Sequence, residues 1–123
     1  MSERVMVNVE GGVADVRLNR PEKLNALDSK MFRAIVDAGE ELKSRPDVRA
    51  VVLSGEGRSF CAGLDFSSFQ AMGSNEQGTQ AEATDEHLEG RITHLGQQAA
   101  WVWQELEVPV IGAIAGHALG AGF

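Results

Sequence analysis

The stretch Val48-Arg49-Ala50-Val51-Val52-Leu53-Ser54-Gly55-Glu56-Gly57-Arg58-Ser59-Phe60-Cys61-Ala62-Gly63-Leu64-Asp65 decides the fold. Its first part is nearly continuous in apolar residues rather than alternating, the pattern of a strand buried on both faces of an α/β sheet. Its second part is a glycine-rich loop leaving the carboxyl end of that strand, where α/β sheets bind their ligands. Gly55, Gly57 and Gly63 lack a Cβ, so they accept positive φ and let the main chain approach a ligand with its amides aimed at one oxygen. Donors arranged in this way form an oxyanion hole. A tight surface turn closing a buried strand is the plainer reading of the same residues.

Upstream, Met6 to Val9 and Val13 to Leu18 are β-prone runs separated by Gly11-Gly12, which predicts an antiparallel hairpin. A polar loop from Asn19 to Ala26 follows, and Asp28 stands at the N-cap of a helix. Met31, Phe32, Ile35, Val36, Gly39 and Leu42 recur at helical spacing and give that helix one buried face. It ends near Arg45, because Pro46 cannot continue it.

Downstream, Phe66, Phe69 and Met72 suit either a short helical turn or an apolar wall. Residues 73–86 carry no apolar side chain larger than Ala and read as a mobile loop. Leu88, Ile92, Leu95, Ala99, Val102, Trp103 and Leu106 then mark a long amphipathic helix, in which Trp101 and Trp103 either pack in the core, the plainer reading, or line a pocket. Pro109 opens a second apolar run, Val110 to Ala115, read as a strand. A second glycine-rich loop, Gly116 to Gly122, leaves that strand. If the two strands are neighbours, the two loops face one pocket, and each can donate an amide to the same oxygen.

The formal charge of −7, from 18 acidic against 11 basic side chains, repels polyanions and makes nucleic acid a poor partner. Arg20, Lys23 and Arg58 lie near loops, where they serve either as local cations for a small phosphorylated ligand or as solvated surface charge. The N-terminus has no apolar signal-peptide region, and no apolar run is long enough for a membrane helix. Cys61 is the only cysteine, which rules out an internal disulfide and fits a reducing cytoplasm. With no histidine near it in sequence, Cys61 reads as a small buried residue rather than a nucleophile. No cluster has metal-ligand spacing, so no metal is expected. His117 is expected in a structural hydrogen bond. Neither glycine loop matches a dinucleotide fingerprint or a phosphate-binding P-loop.

Three blocks in order, Leu18-Asn19-Arg20-Pro21-Glu22-Lys23-Leu24-Asn25-Ala26-Leu27, Gly57 to Asp65, and Pro109-Val110-Ile111 through Gly122, resemble the enoyl-CoA hydratase/isomerase (crotonase) family over the whole chain. The resemblance implies an α/β fold, a crotonase-like ββα spiral of the ClpP/crotonase type, with residues 1–123 as the N-terminal part of a single spiral domain. It implies that the backbone N–H groups of Leu64 and Ala121 form the oxyanion hole for a thioester oxygen. Lys23, Leu24, Ala26, Ala62, Asp65 and Phe66, with Gly63 and Gly120 beside the donors, align with positions that contact the coenzyme A and acyl portions. Many members carry a third glycine where this chain has Ala121; the donor survives, and the added methyl narrows the site.

The activity so implied is addition of water across, or isomerisation of, the double bond of a 2-enoyl-CoA in fatty-acid metabolism, with no cofactor beyond the coenzyme A moiety of the substrate. A homotrimer or hexamer, or pairing with a C-terminal half, goes with it. The resemblance places the hydratase glutamates just beyond Phe123 and in a later block, and it assigns no such role to Asp65, Glu105 or Glu107. A non-catalytic acyl-CoA-binding or assembly subunit is therefore the alternative.

Overall fold

The computed structural model describes residues 4–65, 67 and 94–123. Phe66, Phe69, Met72, the loop expected over 73–86 and the first turns of the helix expected from Leu88 lie outside the described residues.

Strands β1 (Val5–Glu10) and β2 (Val13–Leu18) form the expected antiparallel hairpin, with Glu10 opposite Val13 and Val5 opposite Leu18. Gly11 and Gly12 both have positive φ, +60° and +84°, as a two-residue hairpin turn demands. Helix α1 (Ser29–Lys43) starts where expected, because the Asp28 side chain accepts from the Met31 N–H at 2.9 Å and satisfies a first-turn donor. All six apolar positions picked out by spacing are buried on it. β3 (Ala50–Gly55) lies parallel to β2 on one side and to β4 (Val110–Gly112) on the other, giving the order β1-β2-β3-β4. Helix α2 (Leu95–Glu105) connects toward β4 and packs against α1.

The strand register explains the core. Val9, Ala14, Val51 and Val110 form one cross-strand row, and Val7, Val16 and Leu53 form the next, all on the face that meets Leu42, Val48 and Trp103. A second cluster, with Leu27, Phe32, Ile35, Phe60 and Leu95 among its members, lies under the carboxyl ends of the strands. The opposite row of Asn8, Asp15, Val52 and Ile111 is covered by neither helix, and Ile111 is 56% exposed. This corrects the expectation of a strand buried on both faces. Within β3 only Val51 is fully buried, and the apolar run begins early because Val48 packs in the core ahead of the strand.

β4 is also shorter than the apolar run suggested. After Gly112 the chain makes one more bond to β3, from the Ala113 N–H to the Leu53 carbonyl at 2.8 Å. It then leaves the sheet to pair with the loop that follows β3. The Phe60 N–H donates to the Ala115 carbonyl at 2.8 Å and the Cys61 N–H to the His117 carbonyl at 3.1 Å. The backbone groups that a longer strand would have paired are thus satisfied at the loop.

Candidate functional site

Three loops lie side by side at the carboxyl end of the sheet. The first runs from Asn19 to Leu27 and contains a short 3-10 turn, Pro21–Lys23. Leu24 and Asn25 then take left-handed conformations, φ 53° and 57°, which cost a non-glycine residue about 1 kcal/mol or more each. The Asn25 side chain, fully buried, holds this shape. Its Oδ1 accepts from the Arg20 N–H at 2.7 Å, and its Nδ2 donates to the carbonyls of Glu56 and Ser59, both at 3.0 Å. Asn25 therefore ties the first loop to the second.

The second loop, Glu56 to Asp65, lies between the other two and bonds to each. It meets the first where the Ala62 N–H donates to the Leu24 carbonyl at 3.0 Å, and again at an isolated parallel bridge between Leu27 and Leu64. It meets the third at a bridge between Cys61 and Ala118, with the Leu119 N–H donating to the Cys61 carbonyl at 3.0 Å. Close approach needs glycine at several points here. Gly63 has φ 90°, and a Cβ there would come within 2.8 Å of the Leu119 carbonyl oxygen. A Cβ on Gly122 would stand 2.6 Å from the Cys61 carbonyl oxygen. Gly55, expected at positive φ, instead serves close approach, with the Phe60 carbonyl and Asn25 amide against its Cα.

The direction of the Leu64 amide follows from peptide planarity. The Gly63 carbonyl accepts from the Leu27 N–H at 2.7 Å, and the Leu64 N–H of the same trans peptide unit points the opposite way, away from the first loop. On the far side lies the third loop, whose Ala121 nitrogen is 3.8 Å from the position a Gly63 Cβ would occupy. Ala121 belongs to a 3-10 turn, Gly120–Gly122, whose internal bonds are made by the Gly122 and Phe123 amides. Among the described residues, neither the Leu64 nor the Ala121 N–H donates to any group. Two amides on adjoining loops are therefore uncommitted, and an acceptor placed between such donors would be polarised by them.

The electrostatics beneath them are paired. Asp65, 7% exposed, receives the Arg20 Nη1 on Oδ2 at 2.8 Å and the Ser67 amide on Oδ1 at 2.9 Å. Bonding from the Ser67 hydroxyl and amide and from Arg20, against the opposing effect of burial, holds its carboxyl down at about 2. Arg20 also donates to the Ala26 carbonyl at 3.0 Å and lies 3.6 Å from Asp28, which is shared with Arg4 at 2.9 Å. Arg20 thus faces inward and is not a cation for an external phosphate. Lys23 and Arg58 are exposed at the rim. Burial pushes the Cys61 thiol above its ordinary value, and the thiol donates to the Asn25 carbonyl at 3.1 Å, as suits a structural residue.

The aligned positions fall into two groups. Leu24, Ala26, Ala62, Gly63, Leu64 and Asp65 are brought together by the bridge to the first loop, while Gly120 and Ala121 approach from the third. Phe66 lies outside the described residues. A largely apolar cavity of about 330 Å³, with Phe32, Cys61, Trp103, Ala121 and Gly122 among its walls, opens below the third loop. Trp103 lines it, but Trp101 is 47% exposed, contrary to the core expectation, because it falls outside the buried stripe of Leu95, Gln98, Ala99 and Val102 on α2. The His117 side chain is exposed; its backbone amide and carbonyl make the contacts expected of the side chain, to Ser59 Oγ and the Cys61 N–H. The structural roles of Asn25 and Arg20 were not assigned from the sequence. Their signal was available as two polar residues inside an otherwise conformationally restricted loop.

Comparison with known proteins adds to this geometry. The profile of the family described as Enoyl-CoA hydratase/isomerase matches residues 8–123. A short-chain-enoyl-CoA hydratase of Clostridium acetobutylicum is 37% identical over 120 residues, covering 96% of this chain and 41% of its own. A peroxisomal Delta(3,5)-Delta(2,4)-dienoyl-CoA isomerase of Arabidopsis thaliana is 32% identical, covering 98% and 43%. The crystal structure of an enoyl-CoA hydratase from Polaromonas sp. JS666 superposes with a TM-score of 0.79 at 29% identity, covering 96% of this chain and 42% of that one. The chain spans about two fifths of the length of the curated relatives it matches.

Proposed function

The chain belongs to the enoyl-CoA hydratase/isomerase family, and on that premise we propose that it binds an acyl-CoA thioester with the carbonyl oxygen between the Leu64 and Ala121 amides. The observation that carries this reading is the pair of uncommitted N–H groups on adjoining loops. Hydrogen bonds from both would draw electron density toward the thioester oxygen, favouring water attack at C3 of a 2-enoyl-CoA or proton loss to a dienolate on the way to isomerisation. Each such donor is worth about 3 kcal/mol at the transition state. The exposed rim with Lys23 suits the polyanionic end of coenzyme A, and the reaction needs no group beyond that moiety.

One observation favours a second reading, binding without turnover. Asp65 and Asp28 are tied to Arg20 and Arg4, and Glu105 is bonded to Lys43 at 2.7 Å, so these three carboxylates are committed to structural pairs. Hydration needs a positioned general acid and base. Assembly as a trimer or hexamer, or with a C-terminal half, and a cytoplasmic location belong to the same proposal. No helix among the described residues is long and apolar enough to cross a membrane.

Hydration of crotonyl-CoA, followed by loss of its enoyl absorbance, and binding of butyryl-CoA, which cannot be hydrated, test both readings. Ala121→Pro is the matching variant. The amide it removes has no partner among the described residues, so no hydrogen bond of the fold is lost, and circular dichroism of the variant checks that it folds. Turnover that falls about 100-fold in this variant supports the enzyme. Butyryl-CoA binding without turnover supports the binding subunit, and absence of binding sinks both.

A further inference from the structure

We infer that Arg20 and Asp65 are positioning residues that aim the Leu64 amide, a role that rests on the thioester reading above. The bridge between Leu27 and Leu64 consists of two hydrogen bonds, from the Leu27 N–H to the Gly63 carbonyl and from the Asp65 N–H to the Leu27 carbonyl at 3.0 Å. These bonds fix the peptide units on both sides of Leu64. An isolated bridge of this size is not self-supporting, since short pairings need further packing or bonding to persist.

The Arg20 guanidinium supplies that support from below. Its Nη1 reaches both the Ala26 carbonyl, one residue before Leu27, and Asp65 Oδ2, one residue after Leu64. One nitrogen therefore spans the bridge and sets which residue of the first loop stands opposite which residue of the second. The two side chains are only 11% and 9% exposed, so the pair is shielded from competing water. Asp28 cannot replace Asp65 at equal strength, because it lies 3.6 Å from Arg20 and is already engaged at 2.9 Å by Arg4 and at its other role by the Met31 amide. Asp65 in turn anchors the chain beyond the donor through Ser67. Loosening the pair would let the Leu64 peptide rotate, and an amide hydrogen bond weakens steeply once its angle falls away from linear.

The test separates aim from binding. Butyryl-CoA labelled with ¹³C at the thioester carbonyl is bound to the wild-type protein, to Asp65→Asn and to Arg20→Lys. Infrared difference spectra read the carbonyl band, and calorimetry reads the affinity. Asp65→Asn keeps the shape and the acceptor for Ser67 but removes the charge facing Arg20; Arg20→Lys keeps the charge and loses the planar fork. The wild-type band is expected below its position in free butyryl-CoA. In Asp65→Asn it should return most of the way, while affinity changes within about threefold, because the Asp65 carboxylate is 7% exposed and already engaged by Arg20 and Ser67, which leaves it none for the coenzyme A contact that the resemblance implied. Arg20→Lys should give an intermediate band and decides the matter if Asp65→Asn does not fold. A folded variant that melts earlier yet keeps the full wild-type band shift would overturn the positioning role and leave the thioester reading standing. A wild-type protein that fails to bind butyryl-CoA, or binds it with an unshifted band, overturns that reading and this proposal with it.

Discussion

The helix interface at Gly39 and the loop junction at Asn25 are both fully packed, but they are held by different physics. At the first, a Cβ on Gly39 would lie 2.5 Å from a Val102 methyl, so α1 and α2 approach as closely as two backbones with one missing side chain allow. The atoms nearest that added methyl are all Val102 side-chain carbons, so this contact is set by volume, while the Lys43–Glu105 pair joins the same two helices one turn further along. At the second, one carboxamide with no solvent exposure bonds to three backbone groups on two loops and holds two non-glycine residues in left-handed conformations. Shape there is set by hydrogen-bond direction. A volume-packed contact gives stability that no ligand senses, whereas a directional one fixes where uncommitted amides point.

The largest effect that would break this distinction is expected at Asn25. Asn25→Ala leaves two carbonyls and one amide without their partner and puts alanine at φ 57°, a conformation asparagine tolerates better. Unsatisfied buried groups cost about 1–3 kcal/mol each, so the loss should be about 3 kcal/mol or more by urea denaturation. Whatever folded protein remains should also lose the carbonyl band shift on bound butyryl-CoA. Retention of that shift would mean that the loops hold their geometry by volume after all.

Gly39→Ala is expected next in size. Overpacking a tight contact costs about 1–3 kcal/mol, offset in part by the better helix propensity of alanine. The contrast lies in the second readout: the bound carbonyl band should not move. A band that moved as far as in Asn25→Ala would show the two regions to be one mechanical unit.

The same contrast governs what the sequence could reveal. The hairpin, the start of α1 and its buried face were legible because periodicity, a glycine pair and an N-cap aspartate are local signals. One-sided burial of β3 was not, since a run of Val48, Val51, Val52 and Leu53 looks alike whether one face or two are covered; register with β2 and β4 decides it. The early end of β4 was likewise hidden, because the competing partner for Ala115 and His117 is a loop more than fifty residues earlier. At the site, the glycines and the donor-bearing blocks could be read through a family resemblance. The inward turn of Arg20 could not, since it depends on Asp65, Asp28 and Ala26 meeting in space.

The smallest expected effect sharpens the comparison through pH. The Asp65 carboxyl sits at about 2 in the folded chain, held chiefly by Ser67 and then by Arg20, against an ordinary value of 3.8. A group depressed on folding adds stability that is complete above its unfolded value and is lost as pH falls through the folded one. The difference in unfolding free energy between wild type and Asp65→Asn should therefore be level from about pH 8 to about pH 5 and shrink as the pH falls from about 4 toward about 2, because the substituted carboxamide cannot titrate and the wild-type advantage disappears as Asp65 takes up its proton. The difference between wild type and Gly39→Ala should stay level over the same range, since the atoms the added methyl meets are side-chain carbons of Val102. Urea titrations of the three proteins at stepped pH would measure both. A gap for Asp65→Asn that stays level down to about pH 2 would mean that its carboxylate charge contributes nothing to holding the second loop, and the directional account of that loop would then rest on Asn25 alone.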